Sequence, residues 1–481
     1  MKKIGIIADD SSETRARVIL YNGLEDKIKR EDIVLIHNGN DENPTNKILG
    51  ILRKGSGRNE LLNPSRYRPD IAYAKIGGEP SSSREIYSFE IIPIGSFSSE
   101  EKLSPNRLII KPRSPVYLFE DEDENNPCEI IKNSCKKPSY LDAYIEGHRK
   151  WKVPADADYI PHHVGVFGTT GTGKSWFTRK VLIPFYLKND YKVLVLDWSG
   201  VDYVPYFKDN VISISQIMLE PDSIYEFFAD ITDNFYNTKT FEEIIEEFIY
   251  DWNNRIRNKN EIEVIKELEA YINRKIPLIK RDDVKEAVER AKRRMIRKLI
   301  PEHIKFLLGE MAIPLILSIL EQKRLIVIDM TGPPSNVRLS FFLTLASYLH
   351  RSMVKGQNLN LALIIDEAPQ YCPFNPEGIQ RKVTEEIKNL AALGRKHRLN
   401  LTLIAQGIAG EIGINAAVRR NLNTNFYGRL HPLDVTQGGA KDWLEPYGIT
   451  ADYLLTLEDG RFYFAGVMNP SPVPLLITYD I

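Results

Sequence analysis

Residues 164–175 read Val164-Gly-Val-Phe-Gly168-Thr-Thr-Gly171-Thr-Gly173-Lys174-Ser175. The first four are apolar or glycine, which predicts a short buried strand, and the run from Trp176 to Leu187 is typical of a helix. A strand, a G-x-x-x-x-G-K-S loop and a helix in this order form a phosphate-binding P-loop. The alternative, a glycine-rich turn without a ligand, is disfavoured by the preceding strand and by the Gly-Lys-Ser ending.

The residue types in this loop suit a nucleoside triphosphate and its Mg²⁺ ion. Glycines let the backbone wrap closely around a phosphate chain, and the N–H groups at the helix start point at its negative charge. We expect Lys174 to reach the β- and γ-phosphates and the Ser175 hydroxyl to ligate Mg²⁺. The residues predicted to bind the nucleotide are Gly168, Thr170, Gly171, Thr172, Gly173, Lys174, Ser175 and Trp176.

Two later apolar runs end in acidic residues, one in Asp197 and one in Asp366-Glu367. We expect Asp366 to hold Mg²⁺ through water and Glu367 to polarise the water that attacks in line. Two solvated acids at the end of a strand are the disfavoured alternative, because the P-loop and the Asp-Glu pair occur together. Asp197 is equally compatible with organising the metal's water shell or positioning Ser175, and with anchoring a loop or capping a helix.

A further buried strand, from Leu399 onward, ends in Gln406. This amide is placed to sense the γ-phosphate or to hold the attacking water. The helix predicted before that strand, Gly378–Arg398, ends in Arg395-Lys-His-Arg398. Basic residues at a helix C-terminus are expected from the helix dipole alone, so this pattern assigns Arg395 no catalytic role.

Composition and charge restrict the class of protein. The chain has 481 residues, of which 43% are hydrophobic and 27% charged, and this predicts a globular protein of two or three domains. A net charge of −1 means that any nucleic-acid contact must be a local patch or a pore lining. Three cysteines without a C-x-x-C pair favour the reducing cytoplasm and argue against a zinc site. We expect no signal peptide and no membrane span.

The first 120 residues show short β-rich runs between turn signals, which predicts a small barrel or sandwich. A collar for assembly is favoured over a nucleic-acid-binding barrel, because no aromatic stacking pattern is present. A charged linker is predicted at Glu120–Pro127 and a strand-like stretch at Ala143–Val153. The predicted strands of the first region are Ile4–Ala8, Arg17–Tyr21, Ile33–His37, Lys47–Leu52, Ile71–Ile76, Tyr87–Ile94 and Leu108–Ile110.

Residues 215–322 carry apolar residues at helical spacing and strongly segregated charge. Residues 220–251 are mainly acidic and residues 274–298 mainly basic. The basic helix predicted at Val284–Ile300 is compatible with phosphate binding, or with pairing to acidic helices of the same insertion or of a neighbouring subunit. Pairing of the basic helix with acidic helices is favoured, because the numbers of positive and negative charges in the two segments nearly balance. Near the end of the chain, Trp443–Leu457 predicts a helix and Leu455–Met468 a hairpin.

Together, these motifs resemble the HerA family of hexameric DNA-translocating ATPases and helicases, in the HerA/FtsK group of P-loop NTPases. The likeness covers about residues 140–481, and the N-terminal β module matches in position and style. The matching pieces are His163–Ser175, Val193–Asp197 with Gly200, Asp202 and Tyr203, Ile364–Ala368, Leu393–Lys396 and Thr402–Gln406. The resemblance implies ATP and Mg²⁺ as cofactors, a homo-hexameric ring with ATP between subunits, and double-stranded DNA in its pore. It also implies that Arg395 is a finger reaching a neighbour's ATP.

The implied function is an ATP-driven DNA translocase or helicase that acts with a nuclease, such as a NurA-like one, in DNA end processing. The alternative is a HerA-like ring that serves as scaffold or regulator of a partner effector, for example in phage defence. A small-molecule phosphotransferase is disfavoured, because a long segment precedes the P-loop and Glu367 favours water as the acceptor. Three features depart from the family pattern: His162-His163 replaces Arg-His, Gly407-Ile-Ala-Gly410 replaces an Arg-Pro-like continuation after Gln406, and Gly407–Arg420, expected near the pore, is poor in basic residues until Arg419.

The predicted fold class is α/β. It comprises a P-loop NTPase core with a mainly parallel sheet, an N-terminal small β-barrel and an inserted helical subdomain. The predicted domains are a barrel-like domain at residues 1–120, a linker and β extension at 121–160, core parts at 161–214 and 323–460, the helical insertion at 215–322, and a C-terminal brace or tail at 461–481.

Overall fold

The computed structural model describes residues 1–39, 46–63, 69–78, 82, 85–98, 102–121, 126–410, 412–436 and 440–480. The middle of the predicted linker at Glu120–Pro127 lies outside these residues. The chain divides into two compact units. The terminal unit combines residues 1–159 with 424–481, and the P-loop unit comprises residues 160–423.

The strands and helices follow in chain order. The strands are β1 (Lys2–Ile7), β2 (Ala16–Leu20), β3 (Ile33–His37), β4 (Lys47–Asn59), β5 (Glu85–Phe97), β6 (Pro115–Leu118), β7 (Pro138–Ile145), β8 (Lys152–Asp156), β9 (Val164–Phe167), β10 (Lys192–Asp197), β11 (Val211–Ser213), β12 (Leu325–Asp329), β13 (Leu361–Ile365), β14 (Leu399–Ala405), β15 (Thr424–Tyr427), β16 (Arg461–Gly466) and β17 (Leu475–Thr478). The helices are α1 (Pro69–Lys75), α2 (Pro127–Lys132), α3 (Lys174–Phe177), α4 (Ile183–Lys188), α5 (Pro221–Ile231), α6 (Lys239–Tyr250), α7 (Trp252–Ile256), α8 (Glu261–Lys275), α9 (Asp282–Lys298), α10 (Pro301–Leu307), α11 (Ile313–Lys323), α12 (Ser335–Val354), α13 (Ile379–Gly394), α14 (Ala416–Arg419), α15 (Pro432–Thr436), α16 (Ala440–Leu444) and α17 (Ala451–Leu455). A π-helical turn at Thr178–Leu182 joins α3 to α4.

The first six strands close into an antiparallel barrel in the order β1-β2-β5-β4-β3-β6. Alternate side chains point inward, as in β2, where Ala16, Val18 and Leu20 are buried and Arg17 is exposed. The apolar residues of these strands form one hydrophobic core inside the barrel. The predicted N-terminal β-barrel is therefore confirmed.

Two strand predictions in this region are wrong. Ile71–Ile76 belongs to a helix, α1, which starts at Pro69 with Asp70 in its first turn, and both features favour a helix start. Leu108–Ile110 forms no strand, although Ile110 is buried in the barrel core. The sixth strand is β6, which pairs with β1 and β3.

The rest of the terminal unit contains a five-stranded antiparallel sheet in the order β15-β16-β17-β7-β8. The hairpin predicted at Leu455–Met468 is wrong, because only β16 forms there and its partners are β15 and β17. The strand β17 comes from the proline-rich tail, so this part of the predicted brace pairs within its own chain.

Turns interrupt two other predicted elements of this unit. The stretch Ala143–Val153 contains the end of β7, a turn with Gly147 at a φ of 83°, and the start of β8. The helix predicted at Trp443–Leu457 is broken at Gly448, whose φ is 78°, into α16 and α17. Glycine adopts this left-handed backbone readily, which ends a strand or a helix.

A buried ion pair ties the barrel to the C-terminal segment within the terminal unit. Arg53 of β4 is fully buried and donates two hydrogen bonds to Glu31, at 3.0 and 2.9 Å. The same guanidinium donates to the carbonyl of Pro474 at 2.7 Å, and the Tyr463 hydroxyl donates to Glu31 at 3.1 Å. Removing one partner would leave a buried unpaired charge, so we expect either change to destabilise this unit strongly.

The P-loop unit is built on six parallel strands in the order β11-β12-β10-β13-β14-β9. The strands β13 and β14 are completely buried, as expected for a parallel sheet covered on both faces. Asp197, Asp366 and Gln406 follow the carboxyl ends of neighbouring strands, which meet at one edge of the sheet, where ligands bind in such folds. The predicted α/β core is confirmed.

The helices α5 to α11 lie in sequence between β11 and β12 and pack around aromatic residues such as Phe227, Phe248 and Trp252. Lys275 of the basic segment forms an ion pair with Glu247 of α6. The cationic side chains of α9, which the structure describes in full, make no ion pair with α5 or α6; Arg290 pairs within α9, with Glu286 at 3.9 Å. In the described ranges, no helix combines the length and apolar character needed to cross a bilayer.

Candidate functional site

The glycine loop follows β9 directly and leads into α3. Gly171 and Gly173 have φ angles of 85° and 90°, a left-handed backbone that favours glycine over other residues. A side chain at Gly171 would meet nothing within 4 Å, so the backbone conformation rather than lack of space requires glycine there. The Thr172 hydroxyl donates to the carbonyl of Thr169 at 2.8 Å and closes the turn.

Lys174 begins α3 and folds its ammonium back over the loop. Its Nζ donates to the carbonyl oxygens of Gly168 at 2.8 Å and Thr169 at 3.2 Å. Burial lowers the pKa of Lys174, whereas the carboxylates of Glu367, Asp366 and Asp202 act in the opposite direction. The loop, its lysine and the acids of the sheet edge thus form one electrostatic site, and Ser175 follows in the first turn of α3.

A cluster of carboxylates faces this loop. Asp197, Asp202 and Asp366 bring oxygen atoms within 4.8 Å of one another. Asp366 is 4% exposed, and its Oδ2 is buried without a hydrogen-bond partner in the described structure. Burial raises the pKa of Asp366 well above its ordinary value, and the carboxylates of Asp202, Glu367 and Asp197 raise it further.

This cluster fits Mg²⁺. Mg²⁺ prefers carboxylate, hydroxyl and water oxygens, and the buried Oδ2 of Asp366 lacks the partner that such an atom requires. A cation would also relieve the repulsion that raises the pKa of Asp366. Asp366 and Asp202 could hold the ion, directly or through water, and Ser175 remains the predicted third ligand. Asp202 belongs to one of the sequence motifs that match the HerA pattern, but the sequence predicts no role for it.

Asp197 has a different environment, which favours one of its two predicted roles. Its Oδ1 accepts from the N–H of Gly200 at 2.9 Å and from the Ser199 hydroxyl at 3.2 Å. Its Oδ2 accepts from the N–H groups of Tyr203 at 2.8 Å and Val204 at 3.0 Å. Both oxygens are thus engaged by residues 199–204, so the contacts support the loop anchor.

Glu367, Gln406 and Thr170 form a hydrogen-bonded line across the site. The Gln406 Nε2 donates to Glu367 Oε1 at 3.2 Å, and the Thr170 hydroxyl donates to Gln406 Oε1 at 3.3 Å. Glu367 has a φ of 49°, an uncommon backbone for a non-glycine residue and one that clusters at functional sites. The structure therefore brings Glu367 and Gln406 to the phosphate loop, as the sequence predicts.

Residues 144–349 match the family model described as the central domain of the helicase HerA. This chain carries a HerA-type ATPase domain. The predicted resemblance to the HerA family is confirmed over these residues.

Two solved structures, VirB4 and unbound TrwB, are similar to this chain in fold. VirB4 of Thermoanaerobacter pseudethanolicus is 15% identical, with 71% of this chain and 96% of VirB4 covered and a TM-score of 0.51. The unbound bacterial conjugative coupling protein TrwB is 14% identical, with 76% and 92% covered and a TM-score of 0.50. TrwB in complex with ADP and Mg²⁺ is 15% identical, with 66% and 86% covered and a TM-score of 0.46. A search of curated proteins found no match.

Arg395, which lies outside the residues that match the HerA model, is distant from this site. It follows α13 and precedes β14, whereas Gln406 follows the other end of β14. The seven residues of this strand separate the two ends by about 20 Å, at a rise of about 3.3 Å per residue. Arg395 is exposed, and its guanidinium makes no hydrogen bond or ion pair with any residue that the structure describes. The structure does not bring Arg395 to its own chain's phosphate loop.

His163, at the departure from the HerA pattern, is a buried structural residue. Its Nδ1 accepts from the N–H of Leu401 at 3.1 Å, and its Nε2 donates to the carbonyl of Ala391 at 2.8 Å. Burial lowers the pKa of His163 to about 4, so the ring is neutral at neutral pH. It connects the start of β9 with β14 and α13, the helix that ends beside Arg395.

Sequence reasoning missed two residues next to the loop, Arg179 and Tyr206. Arg179 lies in the π-helical turn after α3, and Tyr206 follows the loop that Asp197 anchors. Trp176 was predicted as a nucleotide-binding residue, and its side chain packs beside both. The sequence signal was weak, because only the fold places residue 206 beside residue 176.

Proposed function

We propose that this chain is a ring-forming motor that hydrolyses ATP with Mg²⁺ and uses the energy to move double-stranded DNA. The observation that carries the proposal is the hydrogen-bonded line from Thr170 through Gln406 to Glu367. It joins the phosphate loop to a carboxylate suited to activate water. A protein that only binds nucleotide has no need of such a carboxylate.

The residues of the site divide the chemistry among them. The ammonium of Lys174 exchanges its loop carbonyl partners for the β- and γ-phosphates of ATP. Asp366 and Asp202, together with the predicted ligand Ser175, would hold Mg²⁺, which would supply positive charge to the phosphate oxygens. Glu367 orients the attacking water and takes up its proton, and Gln406 holds Glu367 at the correct distance from the loop.

A second cation at the transferred phosphate would come from Arg395 of a neighbouring subunit. The support is its exposure and the lack of partners of its guanidinium in the described structure, about 20 Å from its own site. An arginine that reaches across an interface in this way stabilises the transition-state charge and contributes about 10³–10⁵ in rate. This arrangement requires a closed ring of identical subunits, which we propose to be a hexamer.

DNA is the proposed substrate of movement, with a NurA-like nuclease as the proposed partner in DNA end processing in the cytoplasm. The description of the matching family as a helicase supports a DNA-linked role. With a net charge of −1, binding needs a local basic patch. The helix α9 offers one, because Arg290, Arg293, Arg294 and Arg297 recur at helical spacing and are exposed.

The test measures ATP turnover and particle size of the full chain, with and without Mg²⁺ and duplex DNA. We expect Mg²⁺-dependent turnover that duplex DNA stimulates, in particles of six subunits, and no turnover in Lys174→Ala. Normal hydrolysis by Lys174→Ala would reject the site. A monomer whose turnover ignores DNA would reject the translocase. Stimulation by a partner protein alone would favour the scaffold role instead.

A further inference from the structure

Trp176, Arg179 and Tyr206 form a stacked cluster beside the phosphate loop. The guanidinium carbon of Arg179 lies 3.7 Å from the centroid of the Tyr206 ring and 5.0 Å from that of the Trp176 ring. The two ring centroids are 6.3 Å apart, and the ring planes are inclined by 65°. All three residues belong to the P-loop unit, and Trp176 directly follows Ser175.

Hydrogen bonds to buried groups hold this cluster in place. Arg179 is 8% exposed, and its guanidinium donates to the carbonyl of Asp202. The segment that carries Tyr206 is fixed by hydrogen bonds from Tyr203 and Val204 to the buried carboxylate of Asp197. The arginine and the loop are therefore anchored by buried groups, and the two rings are oriented by them.

The rings themselves remain accessible. Trp176 is 38% exposed and Tyr206 is 55% exposed, so part of each ring faces solvent. Arg179 covers one face of the Tyr206 ring, and the exposed fraction of that ring leaves room for a second planar group. Core packing does not explain two exposed rings at this position.

The position of this cluster relative to the P-loop indicates which part of a bound nucleotide would stack on its rings. In the proposed binding mode, the terminal phosphates lie at Lys174 and Ser175, so the sugar and base would lie near the residues that follow in α3. Aromatic faces and arginine planes stack on nucleobases without requiring a particular base. The cluster thus lies where a planar, uncharged group has to be accommodated.

We propose that Trp176 and Tyr206, positioned by Arg179, form the platform on which the base of the nucleoside triphosphate stacks. This inference rests on the proposed nucleotide binding at the P-loop. Stacking of this kind contributes affinity for the base and little discrimination between adenine and guanine. ATP and GTP are therefore expected to bind with similar affinity.

The test compares Mg²⁺-ATP with Mg²⁺-tripolyphosphate, which has the phosphates but no base, by titration calorimetry on the full chain. In Tyr206→Ala we expect the Kd for ATP to rise about 10-fold or more, the range typical of a lost stacking contact, and the Kd for tripolyphosphate to stay unchanged. Tyr206→Phe retains the ring and should keep the affinity. Tyr250→Ala, which removes a ring that is 89% exposed on α6, is the matched control and should bind as wild type.

An unchanged Kd for ATP in Tyr206→Ala, or an equal rise for both ligands, would overturn the platform. A second readout is the tryptophan fluorescence of the chain, which ATP should quench and tripolyphosphate should not. The quenching should disappear in Trp176→Phe, and its persistence there would also contradict the proposal. Lys174→Ala separates the two proposals, because normal ATP binding in that variant would refute the P-loop site itself, whatever Tyr206→Ala shows.

Discussion

The two ends of β14 differ in every property that matters for catalysis. At its carboxyl end, Gln406 is half-buried and hydrogen-bonded to Glu367 and Thr170, next to Lys174 and a cluster of acids. At its other end, Arg395 is exposed and its guanidinium has no partner among the described residues. Under the proposed function, the first end is the hydrolytic site and the second end presents a cation to a neighbouring copy. We therefore expect the chain to hydrolyse ATP efficiently only when copies of it meet.

Replacing Arg395 by alanine should have the largest effect on turnover. We expect the variant to assemble and to bind ATP normally, but to lose about 10³–10⁵ in kcat, because charge at the transition state is left unpaired. Steady-state kinetics and sizing measure this. Lys396→Ala, which removes the neighbouring exposed charge, is the matched control and should retain activity. Full turnover in Arg395→Ala would show that the exposed end of β14 has no catalytic role.

Glu367→Gln should have the next largest effect, at the other end of the strand. The amide cannot accept the proton of the attacking water, so we expect kcat to fall by about 10²–10⁴ while ATP binding persists. Single-turnover measurements with bound ATP separate binding from cleavage. If the variant cleaves ATP at the normal rate, another residue activates the water.

Gln406→Ala should lower kcat less. Loss of a hydrogen bond to a charged group is typically about 1.5–3 kcal/mol, which corresponds to about a 10- to 100-fold decrease in kcat. Thr170→Val removes only the hydroxyl that bonds to Gln406 and should cost less, about 2- to 10-fold. Equal effects of both changes on the Kd for ATP, without an effect on kcat, would assign the pair to binding instead.

His163, which connects the start of β9 with β14 and α13, should affect stability rather than turnover at neutral pH. Its pKa is lowered to about 4 in the folded state, so the unfolded chain takes up the proton first as the pH falls. The contribution to stability is complete above the ordinary pKa of about 6.5 and is lost between pH 6.5 and about 4, amounting to about 3 kcal/mol. Denaturant unfolding across this range should show a weaker pH dependence in His163→Gln, whereas His162→Gln should retain the wild-type slope. Equal slopes in wild type and His163→Gln would contradict the buried neutral ring.

Much of the site follows from local pattern. A P-loop, an apolar run ending in Asp366-Glu367 and another ending in Gln406 are each contained in a few consecutive residues, and parallel strands bring their ends together. Features that depend on contacts between segments far apart in the sequence could not be predicted from local pattern. The barrel strand β6, the pairing of β16 with β17, and the placement of Tyr206 beside Trp176 arise from contacts between segments far apart in the sequence. The strand predicted at residues 71–76 was wrong for a different reason. The prediction followed the composition of these residues and ignored the helix-start signal at Pro69-Asp70.

The proposal that two copies share each active site is tested most directly by mixing inactive subunits. Arg395→Ala subunits retain Glu367, and Glu367→Gln subunits retain Arg395, so mixed rings contain interfaces with both groups intact. We expect ATP turnover of the mixture to exceed that of either variant alone and to peak near equal amounts. Turnover that stays at the level of the separate variants at every ratio, in particles shown to contain both kinds of subunit, would contradict a shared site.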